Sequence, residues 1–150
     1  MDGRILGLDI GLKRTGIAVS DETRLIASPL TYVESKNPGE WIGKVLEVIE
    51  QESPTEVVVG LPLNHHGEEG QDAAVIRKYI ALLRERYSGP VVEWDERFTT
   101  VQAERSLLDA DVSRKKRKTL IDKVAAAIIL QGYLDRLRFQ HDNPWPPDEE

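Results

Sequence analysis

The sequence predicts an α/β protein in which helices flank a mixed five-stranded sheet. Three strand-like segments follow one another near the N-terminus with short links, which favours antiparallel pairing among them. Two later strands are separated by helical segments, a pattern typical of parallel strands. The 150 residues suit one domain with a substantial core.

The first three strands are predicted at residues 4–9, 15–20 and 25–33. The first is an apolar run that ends in the carboxylate of Asp9. A tight turn that contains Gly11 leads into the second strand, so we expect the two to form a hairpin.

The middle of the chain alternates between helix and strand. Pro38 opens a helix whose apolar residues recur at helical spacing, and Pro54 ends it. Residues 56–60 form a continuous apolar run, as expected of a buried parallel strand. A polar, glycine-containing loop over residues 64–71 leads to a helix centred on 75–83. The remaining strand is predicted at residues 91–95.

The C-terminal part is predicted to be helical. Thr99 or Thr100 can cap a short helix that runs through Leu107 and Leu108. A long helix is then expected over residues 119–138. Between the two helices lies a concentrated basic run, in which Ser113 is followed by Arg114, Lys115, Lys116, Arg117 and Lys118. We interpret residues 1–142 as one domain and the acidic, proline-rich residues 143–150 as a tail.

Composition excludes several classes of function. The chain has no cysteine, so disulfides, thiolate catalysis and cysteine-ligated zinc are excluded. No apolar run is long enough to span a membrane, and the N-terminus lacks the regions of a signal peptide, so we expect a cytoplasmic protein. The net charge of −6 argues weakly against a nucleic-acid partner, but the basic run shows that the charge is unevenly distributed.

Three acids in apolar surroundings are the candidate functional residues. Asp9 and Glu96 follow predicted strands whose carboxyl ends converge if the strands are parallel, and ligands of open α/β sheets gather at that edge. Asp122 falls on the face of the last predicted helix that carries Ala126 and Ile129. Three such carboxylates suggest a site for divalent metal and phosphoryl chemistry.

Two of these assignments have alternatives. Asp122, in the first turn of a helix over 119–138, could simply complement the helix dipole. Asp95 and Glu96 point to opposite faces, because side chains alternate along a strand. Glu96 continues the face of Val92 and Trp94, but this alone does not decide between the two acids.

The motifs of the chain resemble, in order and spacing, those of the YqgF/RuvX family in the ribonuclease H-like superfamily. The matching segments are Gly7-Leu8-Asp9-Ile10-Gly11, Thr15-Gly16, Gly60-Leu61-Pro62, Asp95-Glu96-Arg97-Phe98-Thr99-Thr100 and Asp122-Lys123-Val124-Ala125-Ala126. The family comprises Holliday junction resolvases and nucleases that mature the 5′ end of pre-16S rRNA. The resemblance implies a ribonuclease H-like nuclease domain with Asp9, Glu96 and Asp122 as its catalytic triad, and it selects Glu96 over Asp95.

This resemblance implies a divalent-metal-dependent endonuclease. Two cations about 4 Å apart can activate water and stabilise the departing oxygen. Mg²⁺ or Mn²⁺ prefers the hard oxygen ligands that three carboxylates supply. The histidines need not be catalytic, and the adjacent pair His65-His66 is not a zinc signature.

Basic and hydroxyl side chains near the triad are candidates for binding substrate phosphates. An isolated charge cluster is commonly a solvated loop, but the basic run directly precedes the helix of Asp122, which favours a phosphate clamp that is mobile until nucleic acid binds. The candidates are Lys13, Arg14, Arg97, Thr99, Thr100, Arg114, Lys115, Lys116, Arg117 and Lys118.

Other functions have to be weighed against a nuclease. A non-catalytic nucleic-acid-binding module is one, although the presence of all three acids argues against it. The Asp-Ile-Gly and Thr-Gly motifs also resemble the phosphate motif of actin-like ATPases and sugar kinases, but 150 residues cannot hold the two large domains of such proteins. The expected partner is nucleic acid, namely a four-way DNA junction, precursor rRNA or both. The chain could act as a monomer or, since symmetric junction cleavage needs two sites, as a homodimer.

Overall fold

The computed structural model describes residues 3–62, 70–96 and 114–142, with the backbone alone at residues 71, 114–123, 141 and 142. In these ranges it shows five strands and three helices. The strands are β1 (Ile5–Ile10), β2 (Arg14–Ser20), β3 (Ala27–Glu34), β4 (Glu56–Leu61) and β5 (Val91–Asp95). The helices are α1 (Pro38–Glu52), α2 (Gln71–Arg86) and α3 (Arg114–Asp142).

The strands form one mixed sheet in the order β3-β2-β1-β4-β5. β1 pairs antiparallel with β2, and β2 pairs antiparallel with β3. β4 lies parallel to β1, and β5 lies parallel to β4. The predicted architecture is therefore confirmed. It brings the carboxyl ends of β1, β4 and β5 to the same edge of the sheet.

Helix α1 begins and ends where the local sequence supplies caps. The Asn37 side chain accepts a hydrogen bond of 2.8 Å from the Glu40 amide, and Pro38 occupies the start of the helix. At the other end, Ser53 is left-handed with φ of 49°, and its amide donates to the Ile49 carbonyl. Pro54 then prevents any continuation.

The sheet separates two apolar clusters. One face carries Leu6, Leu8 and Val59 and packs against α1 and α2. In this layer the buried Trp41 indole donates to the Thr15 hydroxyl over 2.9 Å and meets the Tyr79 ring edge-on at 4.8 Å. The other face packs against α3 through side chains that include Ile5, Ala18, Val58, Trp94, Ala126, Ile129 and Leu130.

The structure corrects the prediction for the last helix. α3 starts at Arg114 rather than at residue 119, so the basic run is helical and not a loop, and it ends at Asp142 rather than at 138. Lysine and arginine are good helix formers, and a like-charge pair one turn apart opposes a helix by only a few tenths of a kcal/mol. The predicted loop at 64–71 and the helix through Leu107 and Leu108 fall largely or wholly outside the described residues. Residues 143–150 lie outside them as well.

The start of α3 also changes the interpretation of Asp122. Position 122 is now in the third turn of the helix rather than in the first. The dipole effect falls off within the first turn. The helix-dipole explanation for an acid at this position therefore loses its basis.

Candidate active site

A cavity of about 350 Å³ opens at the edge of the sheet where β1, β4 and β5 end. The parallel registers that place Leu8 beside Val59 and Leu61 beside Asp95 bring the three strand ends together. The described residues that line the cavity are Asp9, Ile10, Gly11, Leu12, Pro62, Asp72, Val75, Ile76, Tyr79 and Glu96. Two of the three predicted acids, Asp9 and Glu96, therefore meet at one site.

Asp9 is half-buried near the end of β1. Side chains alternate along a strand, so Asp9 shares a face with Ile5 and Gly7, which is the face that α3 covers. Ile10, the next residue, belongs to the opposite layer with α1 and α2. The cavity thus extends around the end of the sheet and touches both layers.

Glu96 follows β5 directly, and its side chain lies over the backbone of β4. A Cβ atom at Gly60 would stand 2.9 Å from Glu96 Oε1 and 2.5 Å from Ile129 Cδ1. Only glycine leaves the room that the carboxylate occupies. Glu96 and Ile129 therefore lie on the same side of the sheet, the side that α3 covers. Val92 and Trp94 pack with Ile129 on this side, as the sequence predicts for the face of Glu96.

Helix α3 approaches β1 closely because Gly7 has no side chain. A Cβ atom there would lie 2.8 Å from Leu130 Cβ and 3.1 Å from the Ala126 carbonyl oxygen. Further along, Gln131 donates to the Leu25 carbonyl and Tyr133 donates to Glu56 at the start of β4. The helix therefore runs from the cavity edge of the sheet toward the opposite edge.

This direction places backbone position 122 on the cavity side of Ala126. Four helical residues correspond to about 6 Å, and the two strand residues from Gly7 to Asp9 correspond to about 6.6 Å. Measured toward the cavity edge from the contact between Gly7 and Ala126, backbone position 122 and Asp9 are therefore displaced by about the same distance. The proximity of the Asp9 and Asp122 side chains stays a prediction, because the backbone alone is described at position 122.

The turn between β1 and β2 forms the rim of the cavity. The Gly11 amide donates to the Arg14 carbonyl over 2.9 Å, and the Ser35 amide donates to the Lys13 carbonyl over 3.1 Å. Leu12 lines the cavity, whereas Lys13 is exposed and Arg14 is half-buried. Both predicted phosphate-binding residues of this turn follow the lining residue Leu12 in sequence, but neither is part of the cavity lining, so their role stays a prediction.

The remaining predicted substrate contacts are only partly described. Arg97, Thr99 and Thr100 lie outside the described residues, and so do His65 and His66. Arg114, Lys115, Lys116, Arg117 and Lys118 lie in the first turns of α3, where the backbone alone is described. Their roles remain predictions.

Two features of the cavity were not predicted from the sequence. Asp72, in the first turn of α2, adds a third described carboxylate to the lining. The one feature of the sequence that could have indicated Asp72 is its position at the start of the helix that follows the predicted strand ending at Gly60. The second feature is an apolar wall, defined as Ile10, Leu12, Pro62, Val75, Ile76 and Tyr79. Periodicity predicts the helix that carries Val75, Ile76 and Tyr79, but it does not indicate that their side chains border a cavity.

The chemistry of the cavity fits a hard divalent cation. Carboxylate oxygens are the ligands that Mg²⁺ and Mn²⁺ prefer, and Mg²⁺ usually retains waters and takes few protein ligands. Among the described residues, no three His, Cys, Asp or Glu side chains lie close enough together to hold a metal ion by themselves. Asp9 and Glu96 would therefore hold a cation together with a further ligand.

The fold and the paired carboxylates define a ribonuclease H-like protein with an acidic site at the end of its parallel strands. The sequence profile of the RuvX family, described as Holliday junction resolvase, matches residues 3–136. The chain belongs to this family, as its motifs predicted.

Relatives of similar length support the same assignment. A protein of Halothermothrix orenii is 46% identical over 132 residues, which cover 88% of this chain and 94% of the relative. A protein of Geobacillus kaustophilus is 47% identical over 137 residues, which cover 90% and 99% of the two chains. Both relatives carry the name "Putative pre-16S rRNA nuclease".

Solved structures show the same fold at low sequence identity. RuvC of T. thermophilus, in complex with a Holliday junction substrate, aligns with a TM-score of 0.58 and 18% identity over 91% of this chain and 96% of its own. The Holliday junction resolvase of fowlpox virus aligns with a TM-score of 0.54 and 14% identity over 89% and 99% of the two chains. The ribonuclease H-like fold predicted from the motifs is thus confirmed.

Proposed function

We propose that this protein is a divalent-metal-dependent endonuclease that hydrolyses phosphodiester bonds in structured nucleic acid. The observation that carries the proposal is the meeting of Asp9 and Glu96, from different strands, at one cavity of the sheet edge. Membership of the RuvX family supports the same reaction class. A non-catalytic binding module would have no need for carboxylates placed in this way.

In this proposal, Asp9, Glu96 and Asp122 hold Mg²⁺ or Mn²⁺ at the cavity. Bound cations supply an activated water and neutralise charge on the phosphate that is cleaved. The protein residues supply position. The absence of a side chain at Gly60 leaves the space that the Glu96 carboxylate occupies. The absence of a side chain at Gly7 allows α3 to pack closely on β1. Carboxylates held on packed elements can keep the reacting groups aligned.

Basic and hydroxyl groups around the cavity would hold the nucleic-acid backbone. Lys13 and Arg14 stand on the fixed turn at its rim. The basic run lies in α3, on the stretch of helix that leads to position 122. Phosphate contacts of this kind position a nucleic acid without reading its sequence. The proposed contacts are Lys13, Arg14, Arg97, Thr99, Thr100, Arg114, Lys115, Lys116, Arg117 and Lys118.

Precursor 16S rRNA is the first proposed substrate, because relatives at 46–47% identity are named for its processing. A four-way DNA junction is the second, because the family is described by junction resolution. Trimming of rRNA requires one site, and a monomer suffices. Symmetric junction cleavage requires two sites and hence a homodimer.

The proposed place of action is the cytoplasm, where precursor rRNA of bacterial relatives would be met. Within the described residues, no helix combines the length and apolar character needed to cross a membrane. We further propose that residues 1–142 constitute the nuclease domain and residues 143–150 a separate tail.

The experiment that tests the proposal compares two labelled substrates at matched salt, a synthetic four-way junction and a precursor 16S rRNA fragment. Each is incubated with the protein in Mg²⁺, in Mn²⁺ and with a chelator. Cleavage of at least one substrate that requires the metal is expected. An absence of cleavage of both substrates with either metal would refute the proposed activity.

A further inference from the structure

We propose that the apolar wall of the cavity binds an unpaired nucleobase of the nucleotide beside the phosphate that is cleaved. This inference rests on the proposed nuclease function and names the class of substrate that the site selects. The wall is continuous with Asp9 and Glu96 in one cavity. A substrate with its phosphate at the carboxylates therefore places the adjoining nucleotide against the wall.

The cavity has two chemically different sides. Asp9 and Glu96 belong to the side that α3 covers, whereas Ile10 and Ile76 belong to the layer of α1 and α2. A phosphodiester requires only the acidic side and its cations. The second side carries the Asp72 carboxylate at the start of α2, but most of it is aliphatic side chains and the Tyr79 ring, which suit the flat, largely apolar surface of a base.

The dimensions of the cavity favour a base that is not stacked in a duplex. A volume of about 350 Å³ falls in the range of pockets that enclose small ligands. A base inside a helix is covered above and below by its neighbours, and it reaches a pocket only when it is unpaired or extruded. The proposed pocket therefore favours cleavage next to unpaired nucleotides over cleavage within a regular duplex.

Leu12 is the most informative residue of the wall. The residue is 74% exposed, although it lines the cavity. The turn that carries it is tied at Gly11 and at Lys13 by backbone hydrogen bonds of 2.9 and 3.1 Å. Leu12 is thus an apolar residue that is exposed to solvent on a fixed turn beside the proposed reaction centre. A bound base can cover its side chain in this position.

The sequence offers a matched control in Ile26, a residue that is 64% exposed. Ile26 lies in the connection between β2 and β3, where its carbonyl accepts from the Asp21 amide. Since β2 begins at the cavity turn and ends at Ser20, this connection is at the opposite edge of the sheet. Leu12→Ser and Ile26→Ser thus remove comparable exposed apolar groups at opposite ends of the molecule.

The test pairs these variants with a chemical change in the substrate. Cleavage products first locate the scissile phosphate, and the adjoining base is then removed to leave an abasic sugar. Affinity is measured for wild type, Leu12→Ser and Ile26→Ser with intact and abasic substrates at several salt concentrations. The four combinations of one protein change and one substrate change form a cycle that isolates their coupling.

We expect the abasic sugar to weaken binding to wild type and to Ile26→Ser by about 10-fold, in line with removal of the stacking between a base and a side chain. Leu12→Ser should bind the intact substrate about as weakly and should be insensitive to removal of the base. Its salt dependence should equal that of wild type, because the same phosphates are neutralised in both. Normal cleavage by wild type without such coupling overturns the base pocket alone. An absence of cleavage by wild type overturns the proposed function and the base pocket with it.

Discussion

Substitution of Gly60 by alanine tests whether the position of the Glu96 carboxylate matters for catalysis. The added methyl group would stand 2.9 Å from Glu96 Oε1 and 2.5 Å from Ile129 Cδ1. Ordinary contacts between nonbonded carbons are about 3.5–4.0 Å, so Ile129 Cδ1 must move by about 1 Å or more, whereas Glu96 Oε1 reaches an ordinary contact distance after a shift of about 0.5 Å. Ile129 is fully buried and Glu96 is half-buried, so the displacement falls at least partly on the carboxylate.

We expect two separate effects of Gly60→Ala. Overpacking of this kind destabilises a protein by about 1–3 kcal/mol. Displacement of a catalytic group by about 1 Å can lower a rate by on the order of 100-fold, so a shift of about 0.5 Å should lower it by about 10-fold. The expected result is a moderate loss of stability, measured by urea unfolding, together with an about 10-fold loss of kcat under conditions where the variant is fully folded.

Gly43→Ala is the matched control for this experiment. Gly43 lies in α1, and nothing approaches within 4 Å of a Cβ atom built there. Alanine in place of an interior helix glycine stabilises by roughly 0.5–1 kcal/mol, and the cleavage rate should be unchanged. A Gly60→Ala variant that cleaves at the wild-type rate would refute the conclusion that this glycine positions Glu96.

Three further predictions concern other parts of the chain. Asp122→Asn should leave the midpoint of urea unfolding almost unchanged, because position 122 is too far from the start of α3 to interact with the helix dipole. The same variant should need a higher Mg²⁺ concentration for cleavage. An unchanged Mg²⁺ requirement would exclude a ligand role for Asp122. Replacing residues 115–117 with Ala should weaken binding to every nucleic-acid sequence alike and lower the salt slope by about one for each phosphate that is no longer neutralised; unchanged affinity and slope would remove the basic run from the substrate path. A hydrogen bond from Thr23, with backbone donors, lowers the pKa of Asp21 from 3.8 to about 2. Ionised Asp21 therefore stabilises the folded protein above pH 3.8, and this stabilisation is lost as the pH falls toward 2. When the free energy of unfolding is measured over this pH interval, Asp21→Asn should lose less stability than wild type.

The sheet edge was predictable because short-range patterns determine it. The carboxylate at Asp9 follows an apolar run, and the apolar run at 56–60 indicated a parallel strand. Parallel strands end at a common edge, so Asp9 and Glu96 were expected to converge, and they line the same cavity. Periodicity also placed Glu96 on the side of Trp94, although only the motif resemblance selected Glu96 over Asp95.

The start of α3 could not be predicted from the local sequence, because it depends on how later turns of the helix pack on the sheet. Five adjacent cations suggested a solvated loop, since like charges repel. In the structure the basic run is continuous with a helix that is packed on the sheet through Ala126, Ile129 and Leu130. Packing of these later turns stabilises the helix, and its first turns extend from them by propagation, which adds one backbone hydrogen bond for each residue fixed.

The wall of the cavity was also beyond sequence reasoning. Tyr79 and Ile76 have the spacing of an ordinary core helix, and nothing in that spacing distinguishes a side chain that faces the core from one that also borders a cavity. Asp72 resembles any acid in the first turn of a helix. Only the position of α2 relative to the end of β1 makes these residues neighbours of Asp9.

The most direct test of the central claim measures cleavage as a function of Mg²⁺ concentration for wild type, Asp9→Asn, Glu96→Gln and Asp95→Asn. Asp95 adjoins Glu96 in sequence but is absent from the described cavity lining, so it controls for removal of a nearby charge. We predict that Asp9→Asn and Glu96→Gln abolish cleavage at every Mg²⁺ concentration while the fold and nucleic-acid affinity persist, and that Asp95→Asn retains cleavage. Cleavage by Asp9→Asn at the wild-type rate would contradict the proposed metal-dependent mechanism.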